Sequence, residues 1–227
     1  CATIPTIVPE RPEPDHIGRR EPCSRIHLDC MVQKQQAISQ TMLHLASQSP
    51  RRRELLNQIG VQHTAIPAEI DETPLPGESP DSYVQRMAEA KAGAIHILHP
   101  QVPVLGSDTA VVLDDAILGQ PDDAEHAIEM LLALSGRSHR VLTGVALVHR
   151  QVSYSLCESR VHFRSISRAE AQAYWNTGEP ADKAGGYAVQ GQAAVFISRI
   201  EGSYSGIMGL PLFETAELLA QAGLRIG

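Results

Sequence analysis

Four stretches of this chain combine residue types and spacings suited to work on a polyanion. The first is Ser47-Gln48-Ser49-Pro50-Arg51-Arg52-Arg53, which follows the apolar run at 43–46. Ser49 suits a helix N-cap, Pro50 suits the first helical turn, and Gly60 suits the end. A helix start carries unpaired N–H groups and partial positive charge, so three arginines laid on it call for a negative partner. A solvated arginine face is the competing reading of that segment alone. The second is Lys91, on the stripe of Val84, Met87, Ala88, Ile95 and Leu98 in a helix expected to be capped by Ser79 and opened by Pro80. That spacing puts an ammonium on a face due for burial, or else a lysine snorkelling from the core's edge. The third is Asp108 in Gly106-Ser107-Asp108-Thr109, expected at the end of a short strand over 102–105, where α/β proteins set catalytic groups. A turn-forming Asx side chain competes there. A fourth, glycine-rich loop, Asp182-Lys183-Ala184-Gly185-Gly186, lets backbone approach a ligand and offers Lys183 to a phosphate, although a plain turn would look the same.

The elements that must hold these residues read as alternating strands and helices. Further strands are expected over 61–66, 110–113, 116–118 and 193–200, with a hairpin formed by 140–148 and 152–163. Pro121 with Asp122 or Asp123 opens a helix carrying Ala127, Ile128, Leu131 and Leu134, and Ser135-Gly136 stops it. Ser167 with Glu170 is a capping box for a helix through Trp175 that Gly178 ends. A polar loop at 67–79 carries Glu69, Asp71 and Glu72, and residues 211–222 form a closing amphipathic helix. The order is that of an α/β protein.

At 227 residues and 43% hydrophobic, the chain can bury a core as one domain or as two lobes with a cleft between them. A formal net charge of −7 opposes nucleic acid and anionic lipid, so any anion site must be local. No apolar run approaches the ~20 residues of a bilayer span. The four cysteines, Cys1, Cys23, Cys30 and Cys157, form no C-x-x-C pair, which fits a reducing, cytoplasmic setting. Residues 1–41 hold five of the fifteen prolines and no apolar period, and read as a disordered extension ahead of a domain at 42–227, with Met42 as a natural first residue.

Read together, the blocks resemble one family, the Maf-like nucleoside triphosphate pyrophosphatases. The matching residues are Leu45-Ala46-Ser47-Gln48-Ser49-Pro50-Arg51-Arg52, Asp71-Glu72, Ala88-Glu89-Ala90-Lys91-Ala92, Gly106-Ser107-Asp108-Thr109 and Leu134-Ser135-Gly136. Further on they are Gly178-Glu179-Pro180, Asp182-Lys183-Ala184-Gly185, Gln190-Gly191, Gly202-Ser203-Tyr204 and Gly209-Leu210-Pro211. The resemblance implies a two-lobed α/β fold of the Maf and ITPase-like kind, a central mixed twisted sheet flanked by helices around a deep nucleotide cleft. It also implies a homodimer, a divalent cation (Mg²⁺ or Mn²⁺), and cleavage of nucleoside triphosphates between the α and β phosphates. Arg51, Thr109 and Gln190 stand where the branches differ and look like the branch acting on dTTP and UTP. Within that reading Asp108 accepts a proton from the attacking water. Asp108 and Glu72 are the oxygen ligands for metal, Glu72 being otherwise a solvated loop acid. Ser47, Arg51, Arg52, Lys91 and Lys183 meet the phosphates, and the amide of Gln190 suits the edge of uracil or thymine. Gln120 departs from the lysine that many relatives carry, and Lys183 or Arg53 is a candidate to compensate. The rival reading is a non-catalytic nucleotide-binding regulator of septum formation. A pocket open to a thymine methyl would also admit modified pyrimidine triphosphates.

Overall fold

The computed structural model describes residues 43–224 and 226. The expected extension at 1–41, Met42, and Cys1, Cys23 and Cys30 lie outside the described residues.

Seven strands form one mixed sheet. They are β1 (Leu43–Leu45), β2 (His63–Ala65), β3 (Val104–Leu113), β4 (Ala116–Leu118), β5 (Ser138–Val148), β6 (Val152–Phe163) and β7 (Ile197–Glu201). The order is β2-β1-β3-β5-β6-β7, with β4 paired to β3 as well. Only the β1 pairings with β2 and β3 are parallel; β3, β5, β6 and β7 run antiparallel in sequence. The helices are α1 (Pro50–Gln58), α2 (Pro80–Leu98), α3 (Ala124–Leu134), α4 (Arg168–Trp175), the short α5 (Tyr204–Ile207) and α6 (Leu212–Gln221). Their caps follow the sequence: Ser79 accepts from the Ser82 N–H, Asp123 from His126, and Ser167 and Glu170 close the capping box.

Three expectations need correction. The strands expected at 102–105 and 110–113 are one continuous β3, so Asp108 sits in mid-strand rather than at its end. The small polar residues 106–109 stay in the ladder because each pairs with β5, Asp108 opposite Gly144 and Thr109 opposite Thr143. Half of the strand expected at 193–200 is a 3-10 turn, Gln192–Phe196. Ala193 and Phe196, three apart, share its buried side while Val195 is exposed, a spacing that suits three residues per turn. Leu98, placed on the buried stripe of α2, is exposed at the helix end.

Two apolar cores lie on one face of the sheet, toward opposite ends of its long strands. Leu43, Leu45, Leu105, Val145 and Leu147 pack with Leu55 and Leu56 of α1 and Leu218 and Leu219 of α6. Val111, Val141, Val161 and Phe163 pack with Ile128, Leu131 and Leu134 of α3 and Tyr174 of α4. Helix α2 lies on the opposite face of β3, its Val84 and Met87 against Ala110, Val112 and Leu142. Two glycines bring it there. A Cβ on Gly106 would stand 2.2 Å from the Ala88 carbonyl oxygen, and one on Gly144 would stand 2.6 Å from that of Val84. Backbone therefore packs directly on backbone.

Candidate active site

Side chains alternate across a strand, so Asp108 and Thr109 point to opposite faces of the sheet. Both nevertheless line one cleft of about 440 Å³. The register explains how. Strand β1 pairs with β3 at Val104 and Leu105, and β4 pairs with it at Val111 to Leu113. Between them residues 106–110 have no partner on that side, and the cleft wraps around this open edge. The strand end that matters is that of β1, whose chain turns away through Ser47 into α1.

On the α2 face Asp108 is 5% exposed and Lys91 8%. The Lys91 Nζ donates to Asp108 Oδ1 at 2.7 Å and lies 3.0 Å from Glu72 Oε1. Gly106 and Gly144 hold α2 close enough for that contact. Glu72 comes from the 67–79 loop, which is tied to α2 by the Tyr83 hydroxyl donating to the Glu72 carbonyl and by Arg86, which bonds Glu78 and the Thr73 carbonyl. Burial pushes the Asp108 carboxyl above the usual carboxylate range, against the pull of Lys91 and Arg52.

On the other face Arg52 lines the cleft and also makes three hydrogen bonds within the protein. Its Nε donates to the Gly209 carbonyl at 2.7 Å, one terminal nitrogen to Ser47 Oγ at 3.2 Å, and the other to Thr109 Oγ1 at 3.4 Å. Burial lowers the pKa of its guanidinium, an effect offset by Asp108 and Glu72. Thr109 Oγ1 is 3.0 Å from Thr143 Oγ1, and Thr143 donates to the Gly206 carbonyl. Ser107 Oγ reaches the Gly209 carbonyl at 2.9 Å. Ser49 stands at the N-cap of α1, but its side chain makes no capping bond; its own N–H donates to Ser47 Oγ instead. Among the described residues the Arg51 and Arg52 N–H groups have no side-chain acceptor and can meet an anion, whereas the Arg53 N–H donates to the Ser49 carbonyl.

The remaining expected residues divide clearly. Arg51, Lys183 and Gln190 line the same cleft as Ser47, Lys91 and Asp108. Arg51 makes no hydrogen bond among the described residues, and Lys183 Nζ is paired with Asp182. Arg53 is exposed and outside the cleft, so it does not compensate for Gln120, whose amide bonds the Asp182 carbonyl instead. Sequence reading missed the apolar floor of Val111, Val141 and Tyr187. It also missed Thr143 and Gly144, which the β3–β5 register places opposite Thr109 and Asp108. No local signal gives that register, because a strand and a helix separate β3 from β5.

Cations gathered around a buried carboxylate at the open edge of a mixed sheet define an α/β protein built to hold a polyanion. Residues 42–222 match the family described as Maf-like protein, and the chain belongs to that family. It is 54% identical over 183 residues to the dTTP/UTP pyrophosphatase of Alkalilimnicola ehrlichii, covering 78% of this chain and 91% of that one. It is 53% identical over 195 residues to the dTTP/UTP pyrophosphatase of Cupriavidus pinatubonensis, covering 81% and 98%. Among solved structures, a HAM1 protein from Coxiella burnetii aligns at 17% identity with a TM-score of 0.45, covering 79% of this chain and 98% of that one.

Proposed function

We propose that this protein hydrolyses dTTP and UTP to the monophosphate and pyrophosphate. The observation that carries the reading is the buried Asp108, bonded to Lys91 in a cleft that Arg51 and Lys183 also line. The relatives just named, half or more identical over nearly their whole lengths, bear that activity in their names.

In the proposed reaction, water attacks the α phosphorus and Asp108 accepts its proton as the new P–O bond forms. The bond from the α phosphorus to the bridging oxygen breaks, and the electron pair leaves on pyrophosphate. Lys91 pulls against the upward push that burial gives the Asp108 carboxyl, favouring the ionised form that acts as a base. Arg51, Lys183 and the first turn of α1 offset the charge that builds on the leaving group. The free amide of Gln190, exposed in the cleft, supplies the donor and acceptor for a pyrimidine edge, with Thr109 on the neighbouring wall.

The same reading includes a divalent cation, for which Asp108 and Glu72 are the candidate ligands. Asp108 and Glu72 both place a carboxylate oxygen within 3.0 Å of Lys91 Nζ, and no cluster of three or more His, Cys, Asp or Glu occurs among the described residues. Two carboxylates suit Mg²⁺ or Mn²⁺, which take their remaining ligands from water and substrate phosphate. Asp108 and Glu72 would hold such a cation, which would supply positive charge to the phosphate oxygens. The same reading includes a homodimer and a cytoplasmic location. No helix of the described residues is long and apolar enough to cross a membrane.

The test is pyrophosphate release from dTTP and UTP by the wild-type protein and by Asp108→Asn. General-base loss should lower kcat by about 10²-fold or more. Binding of dTTP without any release by the wild-type protein would favour the binding-only regulator, release unchanged in Asp108→Asn would mean that Asp108 is not the base, and orthophosphate as first product would overturn the reaction.

A further inference from the structure

Gln190 lines the cleft, yet its side chain makes no hydrogen bond among the described residues. Its place is therefore set by backbone alone. Two residues before it, the Ala188 N–H donates to the Tyr174 hydroxyl at 3.1 Å. Two residues after it, the Gln192 N–H donates to Glu179 Oε2 at 3.0 Å. The two anchors are themselves joined, since the Tyr174 hydroxyl donates to Glu179 Oε1 at 2.6 Å. Between them the Gly191 N–H closes a turn onto the Ala188 carbonyl.

Gly191 shows how tightly the carboxylate is seated. Its φ of −107° is open to any residue, so its backbone does not demand glycine. Space does: a Cβ there would lie 2.2 Å from Glu179 Oε1 and 2.4 Å from Oε2. The carboxylate rests on the bare face of the residue that follows Gln190. Tyr174 is rigid in turn, 4% exposed and edge-on to Phe196 at 5.6 Å between ring centroids. Phe196 and Ala193 bury the turn that continues from Gln192. Neither Tyr174 nor Glu179 lines the cleft.

We propose that Tyr174 and Glu179 form a clamp that fixes the Ala188–Gln192 backbone and thereby sets where the Gln190 amide meets the base, making them positioning residues for base selection. The proposal rests on the pyrimidine triphosphate reading above. Tyr174 on α4 and the Glu179 carboxylate hold the backbone on either side of Gln190, and the reacting phosphates are not involved. Loosening the clamp blurs base recognition and leaves the chemical step alone.

The experiment compares steady-state kinetics on dTTP and GTP for wild type, Glu179→Gln, Tyr174→Phe, Gln190→Ala and the doubles with Gln190→Ala. Glu179→Gln turns an acceptor toward the Gln192 N–H into a donor. It should raise KM for dTTP about tenfold, the worth of roughly one hydrogen bond, leave kcat within about threefold, and leave GTP kinetics unchanged. In the Gln190→Ala background it should add nothing further. An equal fall of kcat on both nucleotides, or effects that multiply in the double variant, would show a merely structural role and overturn the proposal. Tyr174→Phe, which frees only the Ala188 N–H and one carboxylate oxygen, gives the same comparison if Glu179→Gln is too unstable to purify. Wild-type pyrophosphate release from dTTP decides the underlying reading. The ratios between variants decide the clamp, and they are also read as Kd for an α,β-imido dTTP analogue, which needs no turnover.

Discussion

Lys91 shows how one residue can serve stability and chemistry at once. Its ammonium is buried beside the Asp108 carboxylate at 2.7 Å, with Glu72 as a half-exposed second partner. Two buried charges are tolerable as a pair, and either alone leaves an uncompensated charge in a poor solvent. Lys91→Met should therefore lower stability by roughly 3 kcal/mol and abolish most activity. Lys91→Met combined with Asp108→Asn removes both charges, and should recover most of that stability while remaining inactive. Urea melts of the four proteins check this; additive losses would mean that the pair is not coupled. Lys91 was legible in the sequence because its position on an apolar stripe was anomalous. Arg52 was only half legible: its type marked it for phosphate and it lines the cleft, but its type did not show that hydrogen bonds to Gly209, Ser47 and Thr109 also make it a brace between α1, β3 and the 206–209 loop. Nothing in spacing distinguishes a brace from a ligand.

At the scale of elements, the site depends on how closely α2 lies on β3 and β5. Gly106 permits it, because any Cβ would strike the backbone of Ala88 and Ala92 rather than a yielding side-chain end. Gly106→Ala should force α2 outward, cost about 1–3 kcal/mol of stability, and lower kcat about tenfold or more by lengthening the Lys91 to Asp108 contact. Thermal melts and initial rates read the two effects; an unchanged kcat would mean that Lys91 reaches Asp108 from a displaced helix. Helices and caps were legible before any coordinates, since Ser79, Asp123 and Ser167 announce their starts locally. The sheet was not. Whether Asp108 ends a strand or interrupts one depends on which neighbours run out beside it, and pairing partners lie up to about forty residues away: Asp108 faces Gly144. The stretch at 193–200 misled for a related reason, because Ala193 and Phe196 satisfy a buried pattern at either period.

At the scale of the whole molecule, pH should act on stability through groups remote from the phosphate end of the cleft. His139 on β5 is 3% exposed, bonded through Nε2 to the Tyr187 hydroxyl at 2.7 Å, with no partner for Nδ1 among the described residues. Burial, aided by His162, pulls its pKa from 6.5 down to about 4. The unfolded chain therefore takes up a proton below pH 6.5 that the folded chain refuses until about pH 4. Stability from this group is complete above pH 6.5 and falls across that window by about 3 kcal/mol, a Tm drop of roughly 6–12 °C for a domain of this size. Glu78, held down to about 2 by Arg86, and Glu170, held there by the Ser167 N–H and Arg164, act in the same direction lower down. Their folded pKa values lie below the usual 4.5, so their share is lost only between pH 4.5 and about 2. The two windows meet near pH 4 and can be separated. His139→Gln keeps a polar partner for Tyr187 but cannot take a proton. Its Tm should be lower than wild type at pH 7.5, flat between pH 6.5 and 4, and parallel to wild type below that. Melting curves that fall in parallel from pH 6.5 to 4 would mean that His139 is not the group taking up the proton, and His44, also depressed by burial and by His99, would be the next to replace.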